Sequence, residues 1–293
     1  MTGCISGAAE AKINLGLRIL GRRDDGYHEI RSVFHTVSLA DAIEVGLTDS
    51  PGIAIEVAGG DGRVPADATN LACRAASAFI ERAGLPYGAA IRIRKRIPAG
   101  GGLGGGSSDA ACTLRLLREL TGMDPGIGSI ALSLGSDVPF FLRGGAAVVT
   151  GRGDRISPIR TGDFWAVIVD PGIPSSTAGA YADWDLKHAG LTMRLPMYDL
   201  PHPELAWHEG RPFPVSLCND FLPLLAERSP VMAETAARLD VCASTWGLSG
   251  SGSCFYALFR TACEAESLGA SIPRRYARHV CRATGSAGVS SNW

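Results

Sequence analysis

The stretch IPAGGGLGGGSSDAA, Ile97 to Ala111, puts six glycines into residues 100–106 and runs straight into a helical pattern. Glycine loses more backbone freedom on folding than any other residue, so such a run needs a use. Before it, AAIRIRKRI alternates as a strand; after it, Ala110, Leu114, Leu117 and Leu120 recur at helical spacing. A strand, a glycine loop and a helix start make an anion site from backbone alone. Unpaired N–H groups at the helix start point outward, and the helix dipole adds partial positive charge. Without Cβ atoms the backbone approaches phosphate oxygens closely, and Ser107 and Ser108 add hydroxyls suited to a cap or a Mg²⁺–phosphate contact. The Walker pattern is absent, because no lysine follows the glycines. Gly100, Gly102 and Gly105 match G-x-G-x-x-G, but they follow several strands, and Asp124 sits in a turn rather than at a strand end. That context does not suit a dinucleotide fold.

The rest of the chain reads as mixed α and β. AKINLGLRIL alternates, with Ile13, Leu15, Leu17 and Ile19 on one side and Lys12, Asn14, Gly16 and Arg18 on the other. DAIEVGL and GIAIEV are two further strands joined by a turn at 49–52. TNLACRAASAFIERAG is a helix capped by Thr69 or Asn70 and closed by Gly84. Residues 126–134 form a shorter helix ending at Gly135, and AAVVT is a strand. In AAIRIRKRI, Ile91, Ile93 and Ile97 share a face with Lys95, so that lysine either snorkels outward or meets an anion or acceptor. After about Asp154 the pattern changes. FWAVIVDPG opens a second domain with a buried strand, GLSGSGS is a second small-residue loop, and CFYALF is another strand. The stretch Asp183–Pro214 carries no assignable period. We expect two domains, residues 1–154 with the glycine loop and residues 155–293.

Charge narrows the partners. Acidic and basic residues nearly cancel, 29 against 28, which excludes a nucleic-acid or polybasic membrane surface as the main business. No apolar run approaches the roughly 18 residues of a membrane helix, and the first residues lack a signal-peptide layout, so we expect a cytoplasmic protein. The eight cysteines are scattered without metal spacing, and read as small buried thiols. Lysine occurs only as Lys12, Lys95 and Lys187 among many arginines. A lysine kept against that background suggests a need for a compact ammonium rather than a planar fork.

PAGGGLGGGSSDAA resembles the phosphate-binding loop of the GHMP kinases, and AKINLGL and GLSGSGSCFYALF sit where that superfamily's other two motifs sit. AKINLGLRILGRRDDGYHEIRSVF, LGSDVPFFLRGG, DPGIPSSTAGAY and CNDF resemble landmarks of its branch that phosphorylates an alcohol carrying a cytidine diphosphate group. The similarity runs from about Ala11 to Leu258 and is faintest over Asp183–Pro214. It implies an α+β kinase of two domains, the C-terminal one ferredoxin-like. Mg²⁺-ATP would phosphorylate the 2-hydroxyl of the methylerythritol moiety of that substrate, in non-mevalonate isoprenoid synthesis. No obligate protein partner is evident.

The resemblance also assigns roles. Asp137 becomes the catalytic base facing the acceptor hydroxyl, and Lys12 keeps it ionised and stabilises the transferring charge. Asn14 and Thr177 hold substrate hydroxyls or phosphates. Tyr27 and Tyr181 sandwich a cytosine whose edge His28 reads. Asn70 and Leu71 line the adenine pocket, and Lys95 reaches the nucleotide. Pro98, Gly100, Gly101, Gly102, Gly104, Gly105, Gly106, Ser107 and Ser108 cradle the phosphates; no metal ligand is named. From the residues alone plainer readings stay open: a turn aspartate at 137, solvent-facing strand residues at 12 and 14, a surface turn at 27–28. A GHMP-type kinase for another small alcohol, a nucleotide-binding protein without catalysis and a nicotinamide oxidoreductase are the competing functions.

Overall fold

The computed structural model describes residues 3–188 and 217–285. The chain forms two compact units. Met1–Ala11, Leu39–Ala99 and Gly104–Gly144 make the first, and Lys12–Ser38, Gly100–Leu103 and Gly145–Trp293 make the second. Two long strands, β1 (Cys4–Arg22) and β2 (His28–Thr48), contribute to both.

In the first unit, β3 (Ile53–Gly59) and β4 (Gly88–Lys95) join the C-terminal half of β2. β4 pairs antiparallel with β2 and parallel with β3, so it lies between two strands that precede it in sequence. The turn at 49–52 therefore redirects the chain without making a hairpin. Parallel neighbours need a crossover, and α1 (Leu71–Ala83) supplies it. The Asn70 side chain caps α1 by accepting from the Ala72 amide, and Gly84 closes it, as its sequence requires. α1 packs on α2 (Gly105–Thr121), and α3 (Ile127–Leu134) and α4 (Val138–Arg143) pack on both or on α2. Small residues make the approach close: Ala72, Ala75 and Ala76 on α1 and Ala110 and Ala111 on α2 are buried.

In the second unit, the N-terminal half of β2 pairs with β5 (Ala146–Gly151), which pairs with β6 (Arg155–Ile159). A separate antiparallel sheet holds β7 (Trp165–Asp170), β8 (Trp246–Leu248), β9 (Phe255–Phe259) and β10 (Ala277–Arg282), in the order β10-β7-β9-β8. Its helices are α5 (Thr177–Lys187), α6 (Leu222–Arg228), α7 (Pro230–Cys242) and α8 (Ala262–Ser271). Helical crossovers between β7 and β8 and between β9 and β10 make this the ferredoxin-like arrangement. Val167, Trp184, Phe221, Leu239, Leu248, Phe255 and Leu268 fill its core, each large side chain contributing about 1.5–3 kcal/mol by burial. The residues after Cys263, without a motif in sequence, build α8 and β10. Of the unassigned stretch, 183–187 belongs to α5, His188 is its C-cap and 189–214 lies outside the described residues.

One plain reading and one expectation are corrected. Lys12 and Asn14 are not solvent-facing strand residues: every residue from Ala11 to Leu17 is buried. The cysteines are all free, but only Cys73, Cys112, Cys254 and Cys281 are buried; Cys4, Cys242 and Cys263 are exposed. Among the described residues no helix is long and apolar enough to cross a membrane.

Candidate active site

The first unit supplies the start of α2. Gly104, in the left-handed conformation, is its N-cap, and no side chain caps the helix. The first amides of a helix have no partner within it, so this end can take an outside acceptor. Ser107 is half-buried and Ser108 buried, its amide donating to Gly104 O at 2.9 Å. Leu71 Cδ1 lies 3.7 Å from where a Cβ on Gly106 would stand. Asn70 is buried and uses its amide locally, accepting from Ala72 and donating to Pro65 O at 2.7 Å. Pro98 is half-buried just beyond β4.

Lys95 neither snorkels nor points to water. It is buried, and its ammonium donates to Asp41 Oδ2 at 2.5 Å and to Asp109 Oδ2 at 2.7 Å. Asp41 Oδ1 accepts the amides of Arg96 and Ile97. Lys95 Nζ lies 3.4 Å from the Cβ position of Gly105, so the group sits under the first residue of α2. Burial alone would lower the lysine pKa, but the Asp109 and Asp41 charges outweigh it and hold it above the ordinary value. Burial pushes the Asp109 carboxyl up to about 7; Lys95 opposes this and Asp41 reinforces it. Among the described residues Asp109 Oδ1 has no hydrogen-bond partner. Neither aspartate was flagged in the sequence, although Asp109 stands inside the quoted motif on the buried face of α2.

Asp137 is half-buried, immediately before α4, with Pro139 in that helix's first turn. Its side chain makes no capping bond, and it stands in the turn between α3 and α4, the place that the plain reading as a turn aspartate gave it.

In the second unit, the carbonyls of Gly100–Leu103 are all taken by protein donors. Ser175 N binds Gly100 O, Cys254 N binds Gly101 O and Lys12 N binds Leu103 O, at 3.2, 3.0 and 3.0 Å. Lys12 Nζ and Ser249 Oγ both donate to Gly102 O, at 2.8 and 2.9 Å. Gly102 has φ +76°, and a Cβ there would stand 2.0 Å from Ser249 O, so only glycine fits. Lys12 Nζ also donates to Asn14 Oδ1 at 2.5 Å and lies 4.7 Å over the Phe34 ring. Asn14 Nδ2 donates to Ser32 Oγ at 2.9 Å. The Tyr256 hydroxyl donates to Asn14 O at 2.6 Å; burial pushes that phenol above its ordinary pKa, so it stays a donor. Asn219 of the CNDF motif fixes the second small-residue loop by donating to Leu248 O and Gly250 O. Thr177, the first residue of α5, shares a hydrogen bond with Ser251 Oγ at 2.9 Å.

An aromatic group forms at the start of β2. His28 is buried and stacks on Tyr181, with centroids 4.5 Å apart and 17° between planes. Tyr181 meets Phe221 edge-on. Tyr27 is 53% exposed, with the Arg152 guanidinium 5.0 Å over its ring. Tyr181 thus lies against His28 itself, a contact with no signature in sequence.

The second unit therefore brings together Lys12, Asn14, Gly100–Gly102 and Thr177, and separately His28 and Tyr181. Residues 70–145 match the GHMP kinases N terminal domain, so the class is that of the GHMP small-molecule kinases. A 4-diphosphocytidyl-2-C-methyl-D-erythritol kinase of Solibacter usitatus is 42% identical over 259 residues, 86% of this chain and 80% of its own length. One from Geobacter sp. (strain M21) is 40% identical over 256 residues, 86% of this chain and 88% of its own. The crystal structure of a 4-(cytidine 5'-diphospho)-2C-methyl-D-erythritol kinase superposes with a TM-score of 0.81 at 34% identity, covering 96% of this chain and all of that one. The chain belongs to the 4-diphosphocytidyl-2-C-methyl-D-erythritol kinase family. The expected α+β GHMP kinase fold holds.

Proposed function

We propose that the chain transfers the γ-phosphoryl group of ATP to the 2-hydroxyl of 4-diphosphocytidyl-2-C-methyl-D-erythritol, in non-mevalonate isoprenoid precursor synthesis. One observation carries the reading: β1, the 249–254 loop and Ser175 all converge on Gly100–Leu103. These are the segments whose sequences carry the resemblance, and the relatives named above are kinases of that substrate.

Phosphoryl transfer through a loose transition state needs positioning and charge stabilisation more than a strong base. The amides at the start of α2 receive triphosphate oxygens, and those of Gly100–Gly102 are assigned to phosphate as well. The Lys12 ammonium stabilises the charge that builds on the transferring group, and Asp137 accepts the hydrogen bond of the acceptor hydroxyl. Asn14 and Thr177 hold substrate oxygens; Tyr27, His28 and Tyr181 take the cytosine; Asn70 and Leu71 take the adenine. Lys95, committed to Asp41 and Asp109, supports the start of α2 from beneath. Among the described residues no three His, Cys, Asp or Glu side chains are gathered as a metal centre. Mg²⁺ would enter with ATP and would neutralise phosphate charge; no protein ligand is assigned to it. The reaction so described is a cytoplasmic one, on a small molecule, with no nucleic acid, membrane or protein partner.

The test is a panel. With Mg²⁺-ATP, the protein releases ADP in the presence of 4-diphosphocytidyl-2-C-methyl-D-erythritol and not with homoserine, mevalonate or galactose. ADP release with one of the latter, and none with the cytidyl compound, contradicts the assignment.

A further inference from the structure

Three residues of α5 hold one imidazole. Tyr181, Trp184 and Asp185 stand at i, i+3 and i+4, so they share a face of that helix. Tyr181 stacks on the His28 ring. Trp184 meets it edge-on, with centroids 5.5 Å apart and 85° between planes. Asp185 Oδ1 lies 2.7 Å from His28 Nε2. The histidine side chain is 7% exposed, so water offers little alternative to these partners. Arg22 Nη1 stands 3.8 Å from Asp185 Oδ2.

A carboxylate only accepts, so the bond places a proton on Nε2. A neutral imidazole has one N–H, and with that proton on Nε2 its Nδ1 is an acceptor. A charge-assisted bond at 2.7 Å holds this tautomer more firmly than a neutral partner would. The 4-position of a pyrimidine is where the tautomer matters. Cytosine carries an amino donor there, and uracil a carbonyl acceptor. An Nδ1 acceptor matches the first and opposes the second. A site built to satisfy one hydrogen bond rejects the analogue that leaves the buried partner unpaired.

We propose that Asp185 is a positioning residue for base recognition: by holding the His28 proton on Nε2, it makes Nδ1 the acceptor that selects cytosine over uracil. The inference rests on the reading of His28 and Tyr181 as the cytosine site. A merely structural Asp185 would dock α5 against β2 and treat both bases alike.

The experiment compares kcat/KM at pH 8 for the cytidine diphosphate substrate and its uridine counterpart, in wild type, Asp185→Asn and Asp185→Glu. ¹⁵N NMR of the imidazole of each protein reports the His28 tautomer. Wild type prefers the cytidine compound by at least about 100-fold and shows the Nε2–H tautomer. Asp185→Asn can donate as well as accept. It therefore admits the other tautomer, reduces the preference below about tenfold, and raises KM for the cytidine compound more than it lowers kcat. Asp185→Glu, which keeps the acceptor, regains most of the preference. Equal losses for both substrates in Asp185→Asn, an Nδ1–H tautomer in wild type, or no preference in an active wild type each overturn the role of Asp185 and leave the kinase reading standing. Absence of turnover with the cytidine compound in wild type overturns that reading, and this inference with it.

Discussion

The Lys12 ammonium donates to the carbonyl of Gly102, ninety residues further along the chain, at 2.8 Å. It does so while buried, with Asn14 Oδ1 as a second acceptor and Phe34 beneath it. The space takes a compact ammonium and not the planar fork of arginine, in a chain that otherwise favours arginine. Lys12→Arg is therefore expected to lose turnover as Lys12→Met does, by at least about 100-fold in kcat. Steady-state ADP release decides it; an arginine variant within a few-fold of wild type removes the argument for a compact cation.

Asp137 makes no capping bond to α4, and asparagine keeps the size and shape of its side chain. Asp137→Asn should lower kcat by about two orders of magnitude or more, while nucleotide affinity, measured by calorimetry with ADP, moves less than about threefold. Unchanged turnover takes Asp137 out of the mechanism.

Two carboxylates share one ammonium under α2, and Asp109 bears the excess charge. Its carboxyl, raised to about 7 mainly by burial, is harder to ionise in the folded chain than in the unfolded one. Stability is then lost as pH rises from the ordinary carboxylate range near 4 through about 7. Asp109→Asn removes that titration and leaves Lys95 balanced by Asp41. Urea unfolding should find the variant gaining on wild type between pH 5 and pH 8, by on the order of 2 kcal/mol. A gap independent of pH means that Asp109 is ionised throughout.

Gly102 is a packing requirement as well as a conformational one, because a Cβ there stands 2.0 Å from Ser249 O. Gly102→Ala should destabilise the protein by at least about 3 kcal/mol, combining left-handed strain with overpacking. Denaturant titration measures it; a loss under about 1 kcal/mol shows that the 249–254 loop yields freely.

Local patterns were the legible part of this chain. The Asn70 cap, the Gly84 stop, the alternation of β4 and the helix after the glycines follow from spacing and turn chemistry, and each stands as read. What spacing does not carry is which strand lies beside which. β4 enters between β2 and β3 because α1 crosses over, so two strands joined by a short turn are not neighbours. The same limit explains β1. Its alternation left a solvent-facing reading of Lys12 and Asn14 open, but the loops at 100–103 and 249–254 cover that face, through bonds spanning much of the chain. At the site, motif residues could be named from sequence, but their partners could not. Asp41 and Asp109 meet Lys95 from β2 and α2, and Asp185 meets His28 across 157 residues. Lys95 itself was marked by its place on an apolar face; that it answers to two buried carboxylates is a tertiary fact.

The central claim is that the phosphoryl group passes from ATP to one alcohol of the cytidyl substrate. ³¹P NMR of a reaction run with Mg²⁺-ATP follows it directly. The account predicts ADP together with one new phosphomonoester coupled to the methylerythritol carbon skeleton, the cytidine diphosphate resonances persisting. ATP left intact, free phosphate as the sole new product, or a lengthened chain on the cytidine diphosphate contradicts it.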